Sequence, residues 1–502
     1  MTGTIGAMSL LFRPRAARLV VLPLALVLAA LLIAGPSTVR DASLVQSHAS
    51  LQSLVAGSQG AYETEGTIPH AAASAAAVET PRVDVHSAFT QVRDDQARRS
   101  QTLVELHQDL SLHAVGSQVY TAWKTPMTIK ALNWYGFEYR PFVAGGLDKL
   151  PLDSIMATVR RLGFNALRIM FANETVERNP VVITGLDANP ALRGLHSLDI
   201  LDRILGEAHR YNLRVILCDS RSEAGMGPEL LTGLWYTAQY PASAWQKDWI
   251  NLATRFRRRS ALVGVDLRNE PHMIGAAFNT PQLYFKNGPL WGAYQGTYYH
   301  NHDWRYAAET MGNQLLAINP HLMIIVEGVQ IYLDPDRKVL TGGLWGSNLI
   351  GVQYDPINLR VPGQLMYSVH EYGPKMWLGG WFLSNQNYQQ LADRWTTLWG
   401  YLLNASKIMQ APVFVGEFGT CNTYHSCIQD PNKPYSQGFW FTSFVRYLHQ
   451  HPQVGWAYWA LNPTGPFHPT DLNFYSLLTP DWRHVHPLIL QGLAPLLSEP
   501  NG

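Results

Sequence analysis

The stretch LVGVDLRNEP, residues 262–271, gives the first indication of the fold of this 502-residue chain. A run of aliphatic residues leads straight into Asn269 and Glu270, and Pro271 follows. Proline does not continue the ladder of a central strand, and a carboxylate is costly to bury unless it is needed there. The stretch therefore predicts a core strand that ends on an amide and a carboxylate. APVFVGEFGT, residues 411–420, has the same design and carries Glu417.

Aliphatic runs of this kind recur from residue 110 onward. They read IKALNWY, NALRIMF, LRVILC, LVGVDL, LMIIVE, LMYSVH, PVFVGE and VGWAYW. Helical stretches lie between them, at 152–163, 197–212, 245–259, 304–320 and 441–452. Eight strands alternating with helices predict an α/β fold, a (β/α)8 TIM barrel over residues 110–497, after an opening hairpin. No Gly-x-Gly-x-x-Gly turn follows the first strand, which argues against a dinucleotide-binding sheet.

The chain before the barrel has a different character. Residues 1–34 combine three arginines with the apolar run that begins at Leu19, as in an export segment. We expect either a cleaved signal or an uncleaved membrane anchor through residues 19–34, and in both cases a secreted or extracytoplasmic protein. Residues 35–109 lack sustained periodicity and are predicted to be a linker or stalk, with one short helix near 86–108.

The composition narrows the function. Lys and Arg number 38 against 37 Asp and Glu, so no basic surplus indicates nucleic acid. The 16 Trp and 23 Tyr provide many flat faces of the kind that suit sugar rings. Cys421 and Cys427 are close enough for a small-loop disulfide in an oxidising compartment, whereas Cys218 is predicted to be a buried thiol. The spacing suggests no metal site, and we expect a monomer without a cofactor.

Polar and aromatic residues stand at the carboxyl ends of most predicted strands, where barrel enzymes place their active sites. They are Trp134, Arg168, Asn269, Glu270, Glu327, His370, Tyr372, Glu417 and Trp459.

Glu270 and Glu417 decide the chemistry that this set predicts. They follow the fourth and seventh strands, on opposite sides of the barrel mouth. Two carboxylates facing one cleft are what hydrolysis of a glycosidic bond needs, one as proton donor and one as nucleophile or base. We expect Arg168 to keep Glu417 ionised while the buried Glu270 stays protonated, and Asn269 to hold the sugar 2-hydroxyl.

From about residue 110 to 490 the chain resembles glycoside hydrolase family 5, and within it the bacterial endoglucanase-type enzymes. The blocks that carry the resemblance occur in the family's order: NWYGFE, GFNALRI, LWYT, VDLRNEPH, DWRYAAETMGNQLLAINPHLMIIVEGVQ, LWGSNL, LMYSVHEYGP, VGEFGT and YWALNP. The resemblance implies an exported, retaining endo-β-1,4-glucanase that acts by double displacement on cellulose or a related β-glucan.

Position by position, the resemblance makes Glu270 the acid/base and Glu417 the nucleophile. Arg168, Asn269, His370 and Tyr372 become supporting residues, and Glu327 joins them because of its place at a strand end. Trp459 becomes the aromatic platform at the cleavage point, with a cis peptide bond expected before Ala460, and Trp134 and Trp235 become candidate glucosyl-stacking residues.

Two departures from the family pattern bear on substrate choice. Ser220 stands where the family usually has a histidine, although Arg221 keeps the arginine that follows, and residues 225–233 form an insertion. Leu461 stands where close relatives carry another tryptophan. They leave two alternatives open: a retaining enzyme for mannan, xyloglucan or another β-glycan, and a catalytically impaired wall-bound carbohydrate-binding protein.

Overall fold

The structure is a computed structural model of the chain. It describes residues 109–225, 233–272, 288–293, 300–333, 340–376, 386–405, 409–430, 433, 436–464 and 472–499. The predicted export segment, the linker and the helix near 86–108 lie outside these residues, as does most of the insertion at 225–233. No helix in the described ranges is long and apolar enough to cross a membrane.

A closed barrel of eight strands forms the centre of the molecule. Its strands, in chain order, are β4 (Lys130–Phe137), β5 (Ala166–Ala172), β6 (Arg214–Arg221), β7 (Leu262–Asp266), β8 (Met323–Glu327), β11 (Leu365–Glu371), β12 (Val413–Phe418) and β13 (Gly455–Tyr458). Each pairs in parallel with the next, and β13 returns to β4 to close the barrel. The predicted TIM barrel and all eight predicted strands are confirmed.

In the part of the chain that the structure describes, five short strands lie outside the barrel. β1 (Leu112–Val115), β2 (Gln118–Thr121) and β3 (Pro126–Met127) form the predicted opening hairpin and its continuation. The Ala114 N–H donates to the carbonyl of Gly363, just before β11 begins, so this small sheet lies against the amino-terminal end of the barrel. β9 (Ile331–Leu333) and β10 (Leu340–Gly342) pair in a second small sheet that the sequence analysis did not predict.

Helices separate the barrel strands. They are α1 (Leu152–Arg161), α2 (Asn173–Arg178), α3 (Ser197–Arg210), α4 (Ala242–Phe256), α5 (Trp304–Ile318), α6 (Tyr388–Leu398), α7 (Gln437–Gln450) and α8 (Pro487–Leu497). The five predicted helices are α1, α3, α4, α5 and α7, with ends that differ by a few residues. Each barrel strand is buried on both faces, one packed against the helices and one facing the barrel interior. This explains the continuous aliphatic character of the strands.

The structure also pairs the cysteines as the sequence predicts. Cys421 and Cys427 form a disulfide in the segment after β12, and Cys218 is a buried free thiol. Both bonded cysteines belong to a small buried cluster that includes Tyr372 and Tyr475. The disulfide therefore lies beside the carboxyl ends of the strands, where the candidate site is located.

Candidate active site

Arg168 on β5 is the centre of the site, and its side chain is fully buried. Its guanidinium donates to carboxylate oxygens of Asp266 at 3.0 Å, Glu327 at 3.0 Å and Glu417 at 2.9 Å. It also donates to the side-chain oxygen of Asn269 at 2.8 Å. A guanidinium has five N–H donors in a fixed plane, so these contacts hold groups from several strands in one geometry.

His370 on β11 is the second buried cation of the site. Its Nδ1 lies 2.9 Å from Oε1 of Glu270, and its Nε2 lies 3.1 Å from Oε1 of Glu327. Burial acts to lower the pKa of His370, but the charges of Glu327 and Glu417 outweigh it and hold that pKa well above its ordinary value. With a carboxylate at each ring nitrogen, His370 is an imidazolium that donates in both directions.

Glu270 and Glu417 face each other across this pair of cations. Oxygen atoms of the two carboxylates lie within 4.8 Å of one another. Retaining glycosidases hold their two carboxyl groups roughly 5–5.5 Å apart, whereas inverting enzymes leave a gap of about 6.5–9.5 Å for a water molecule. The spacing therefore fits direct attack by one carboxylate on the sugar.

The backbone of Glu270 takes an unusual conformation, with φ at 52°. This left-handed region costs a non-glycine residue of order 1 kcal/mol and needs support from its surroundings. Glu327 supplies that support, because its Oε2 accepts a 2.8 Å hydrogen bond from the Glu270 N–H. The Glu270 side chain is 22% exposed and that of Glu417 only 6%, so Glu270 is the more accessible carboxylate.

The pKa values of the two glutamates are shifted in directions that the sequence analysis did not predict. Burial acts to raise the pKa of Glu270, but the hydrogen bond and charge of His370 leave that pKa below its ordinary value. Burial and the charge of Glu270 raise the pKa of Glu417, against the opposing effects of His370 and Arg168. Both directions are the reverse of the sequence expectation, which omitted the contact between His370 and Glu270.

Each oxygen of Glu417 has its own donor. Arg168 donates to Oε1, and the hydroxyl of Tyr372 donates to Oε2 at 2.9 Å. Burial and the charge of Glu417 raise the pKa of Tyr372 well above its ordinary value, so its phenol stays protonated. Glu417 is consequently fixed in orientation.

Asn269 and Trp459 complete the accessible wall of the site. Arg168 can only donate, so the Asn269 atom that faces it is the oxygen, and the NH2 group is left for another partner. Trp459 is half-buried, stacks on Tyr135 with ring centroids 5.3 Å apart, and precedes a cis peptide bond to Ala460.

The sugar-stacking roles predicted for Trp134 and Trp235 are wrong. Trp134 is fully buried, and its indole N–H donates to the carbonyl of Gly145. Asn133, one residue earlier, donates to the Gly416 carbonyl and accepts from Arg168 inside the barrel, so the next side chain on this strand points outward. Trp235 is 3% exposed and packs against Trp304 in an aromatic cluster. Neither indole presents a face to the cleft.

Ser220 lies at the carboxyl end of β6 and is buried. The Arg221 side chain donates to its hydroxyl at 3.4 Å, and Arg221 itself lies over the ring of Tyr139 at 4.8 Å. Within the described residues the Ser220 hydroxyl has no hydrogen bond to either catalytic-site glutamate. Arg221 therefore contacts both Ser220 and Tyr139 at the end of this strand.

Three residues of the site were missed in the sequence. Asp266 and Asn133 both contact Arg168 from inside the barrel, and both interrupt aliphatic strands, which is a signal that could have identified them. Trp345 is half-buried and stacks on His272 at 3.8 Å, just before Gly346. It lies in the LWGSNL block, but the sequence pattern alone does not indicate a role for this tryptophan.

One possible ligand atom from each of Glu270, His370 and Glu417 lies within 4.8 Å of the other two, as in a site for one cation. A histidine must be neutral to bind a metal, however, and carboxylates at both ring nitrogens keep His370 protonated. The arrangement is better suited to moving protons between the two glutamates and a substrate.

An eight-stranded barrel with paired carboxylates at retaining distance in its mouth defines a retaining glycosidase. Residues 124–465 match the family model for cellulase, glycosyl hydrolase family 5. The match covers more than half of the chain, and the chain belongs to this family.

Several similar proteins are named for one activity. An endoglucanase of Paenibacillus polymyxa is 33% identical over 353 residues, which are 70% of this chain and 79% of the relative. The major extracellular endoglucanase of Xanthomonas campestris pv. campestris is 28% identical over 364 residues, 71% and 65% of the two chains. The hyperthermophilic endocellulase of Pyrococcus horikoshii superposes with a TM-score of 0.67 at 28% identity, over 78% of this chain and 99% of that one. The chain is a retaining endo-β-1,4-glucanase of the cellulase type.

Proposed function

We propose that Glu417 is the nucleophile and Glu270 the acid/base of this endoglucanase, acting on cellulose or a related β-glucan. The observation that carries this assignment is the approach of the two carboxylates to within 4.8 Å, with Glu417 held by Arg168 and Tyr372. As support for the substrate, a variant of the Pyrococcus endocellulase was solved with cellotetraose.

The reaction proceeds in two displacements. Glu417 attacks the anomeric carbon and forms an ester bond while the glycosidic C–O bond breaks and Glu270 gives its proton to the leaving oxygen. Glu270 then takes a proton from water, the water oxygen attacks the same carbon, and the ester bond to Glu417 breaks. The sugar keeps its configuration because the carbon is inverted twice.

The substrate itself prepares Glu270 to donate a proton. In the free site His370 lowers the pKa of Glu270, whose side chain is 22% exposed. A glycan lying over that side chain removes its remaining water, which raises the pKa of a carboxyl group. Esterification of Glu417 then removes one negative charge from the site, and the pKa of Glu270 falls again for its role as base.

Three residues place the sugar. The free NH2 group of Asn269 donates to the 2-hydroxyl, where hydrogen bonds strengthen in the transition state. Trp459 supports the sugar at the cleavage point, and Trp345 offers a second aromatic face near Glu270.

Two alanine variants test the assignment on a β-glucan polymer and on an aryl cellobioside with a good leaving group. Glu417→Ala should lose both activities, because no glycosyl-enzyme can form. Glu270→Ala should lose the polymer activity but still release one equivalent of the aryl group in a burst, because that leaving group needs no proton. A burst from Glu417→Ala, or none from Glu270→Ala, would reverse or refute the roles.

We also propose that the enzyme works outside the cytoplasm as a monomer, attached to the membrane if residues 19–34 are not cleaved. The charged and apolar pattern of residues 1–34 supports this, as does the Cys421–Cys427 disulfide. Fractionation of cells expressing the full chain should find the activity in the medium or the membrane fraction. Activity confined to the cytosol would contradict it.

A further inference from the structure

A groove lies on the flank of the barrel, between the amino-terminal halves of α4 and α5 and the segment at 234–238. Its volume is about 510 Å³. We call it the flank groove, and the side chains that matter for its chemistry are Tyr236, Gln246, His300, Asn301, Tyr306 and Thr310.

The flank groove is at the active-site end of the barrel but outside the cleft. Helices α4 and α5 each begin at the end where the parallel strands finish, because each follows a strand directly in the barrel order. Trp235 lines the groove and packs on Trp304, whose indole N–H donates to the backbone carbonyl of Glu327 at 2.8 Å. The inner wall of the flank groove therefore lies behind the carboxyl end of β8, where Glu327 is located.

Among the described residues, the lining of the groove includes no Asp, Glu, Lys or Arg. Tyr306 is 46% exposed, and His300 meets its ring edge-to-face at 5.5 Å. Among the residues that the structure describes, the side chains of Gln246, Asn301 and Thr310 form no hydrogen bond. The groove therefore combines an exposed aromatic face with neutral amide and hydroxyl groups that are open to a ligand.

We propose that the flank groove binds a stretch of β-glucan outside the catalytic cleft. Sugar rings present flat C–H faces to an aromatic ring and a rim of hydroxyls to amides, which is the chemistry found here. A charged ligand would find no counter-charge in the lining. An apolar ligand would bury the three polar side chains without partners, which is costly.

The expected effect is confined to long substrates. A polymer that is held at the groove raises the local concentration of cleavable bonds at the nearby cleft. A short substrate that fills only the cleft gains nothing. The proposal rests on the endoglucanase activity of the chain, and a short substrate tests that activity separately.

Tyr306→Ala is the main test, because it removes the exposed ring and replaces it with a good helix former inside α5. Its KM for soluble β-glucan should rise about threefold or more, while kcat/KM for an aryl cellobioside stays at the wild-type value. Gln246→Ala should act in the same direction, and it serves if Tyr306→Ala fails to fold. Trp123→Ala is the matched control, since Trp123 is 70% exposed in the turn after β2, on the small sheet at the other end of the barrel.

Two results would overturn the proposal. One is an unchanged polymer KM in both groove variants. The other is an equal loss on the polymer and the aryl cellobioside, which would mean that the groove only supports the catalytic site. If the wild-type chain does not hydrolyse the aryl cellobioside, that result would instead contradict the endoglucanase assignment.

Discussion

At the residue scale, two buried cations control two carboxylates. His370 touches Glu270 and Glu327, while Arg168 touches Glu417 and Glu327. Glu327 therefore couples the two cations, and it also fixes the backbone of Glu270. Buried charges of this kind are tolerated because each has an opposite charge and a hydrogen bond at close range.

The charge of His370 sets the pH range of activity. Carboxylates face it from three other elements, namely Glu270 after β7, Glu327 on β8 and Glu417 on β12, and Arg168 on β5 is 3.5 Å from its Nε2. The positive charge of His370 lowers the pKa of both Glu270 and Glu417. In His370→Asn both pKa values should rise.

Both limbs of the kcat/KM profile of His370→Asn should therefore move to higher pH, by about one unit or more. The profile is measured on soluble β-glucan, whose leaving oxygen needs the proton of Glu270, and kcat is expected to fall because Glu270 loses a positioning contact. His449→Asn is the control, since His449 is 56% exposed and pairs with Glu499 on the far side of α7. Limbs that stay in place, or move to lower pH, would show that His370 is not the cation that tunes the pair.

At the element scale, strand register decides which side chains reach the site. The aliphatic runs made all eight strands predictable, and the polar residues at their ends identified Arg168, Glu270, His370 and Glu417. Which side of a strand each residue faces was not evident, because neighbouring side chains alternate and one step of register reverses them. The prediction that Trp134 faces the cleft was wrong for this reason.

Two of the three missed helices, α2 and α8, and the missed sheet had weak local signals, whereas α6 begins at a capping box of Asn387 and Gln390 that could have identified it. Helix α2 has only six residues, and α8 is apolar almost all round with a proline inside it. The β9 and β10 strands have three residues each. Their positions depend on contacts with the barrel, which a local pattern does not contain.

The segment after β10 contributes Gly346 to the site. Gly346 has φ at 71°, and a Cβ atom there would lie 2.4 Å from Oε2 of Glu327, the oxygen that holds the Glu270 N–H. Gly194 has φ at 84°, and a Cβ atom there would meet nothing within 4 Å. Both glycines have a positive φ, but only Gly346 is close to the catalytic residues.

Gly346→Ala and Gly194→Ala should each lower the free energy of unfolding by about 1 kcal/mol, because alanine is strained at positive φ. Only Gly346→Ala should also lose kcat, by about tenfold or more, because it displaces Glu327 and with it Glu270. Urea unfolding and turnover of an aryl cellobioside measure the two effects. Equal turnover in both variants would mean that Glu327 does not need its present position.

At the scale of the whole molecule, the barrel brings together residues that are far apart in the chain. Arg168 and Glu417 are 249 positions apart and meet at 2.9 Å. Parallel strands all finish at one end of the barrel, so a polar residue at each end contributes to one cleft. The family and the pair of glutamates could be predicted from the sequence for this reason. The directions of their pKa shifts could not, because they depend on the contact between His370 and Glu270.

The central claim, double displacement with Glu417 as nucleophile and Glu270 as acid/base, is tested most directly by azide rescue of Glu270→Ala. In this variant an aryl cellobioside should form the glycosyl-enzyme on Glu417, and the second step should stall for lack of a general base. Azide needs no deprotonation, so its addition should restore turnover, and NMR of the product should show a β-cellobiosyl azide. An α-azide would mean a single displacement and would contradict the account.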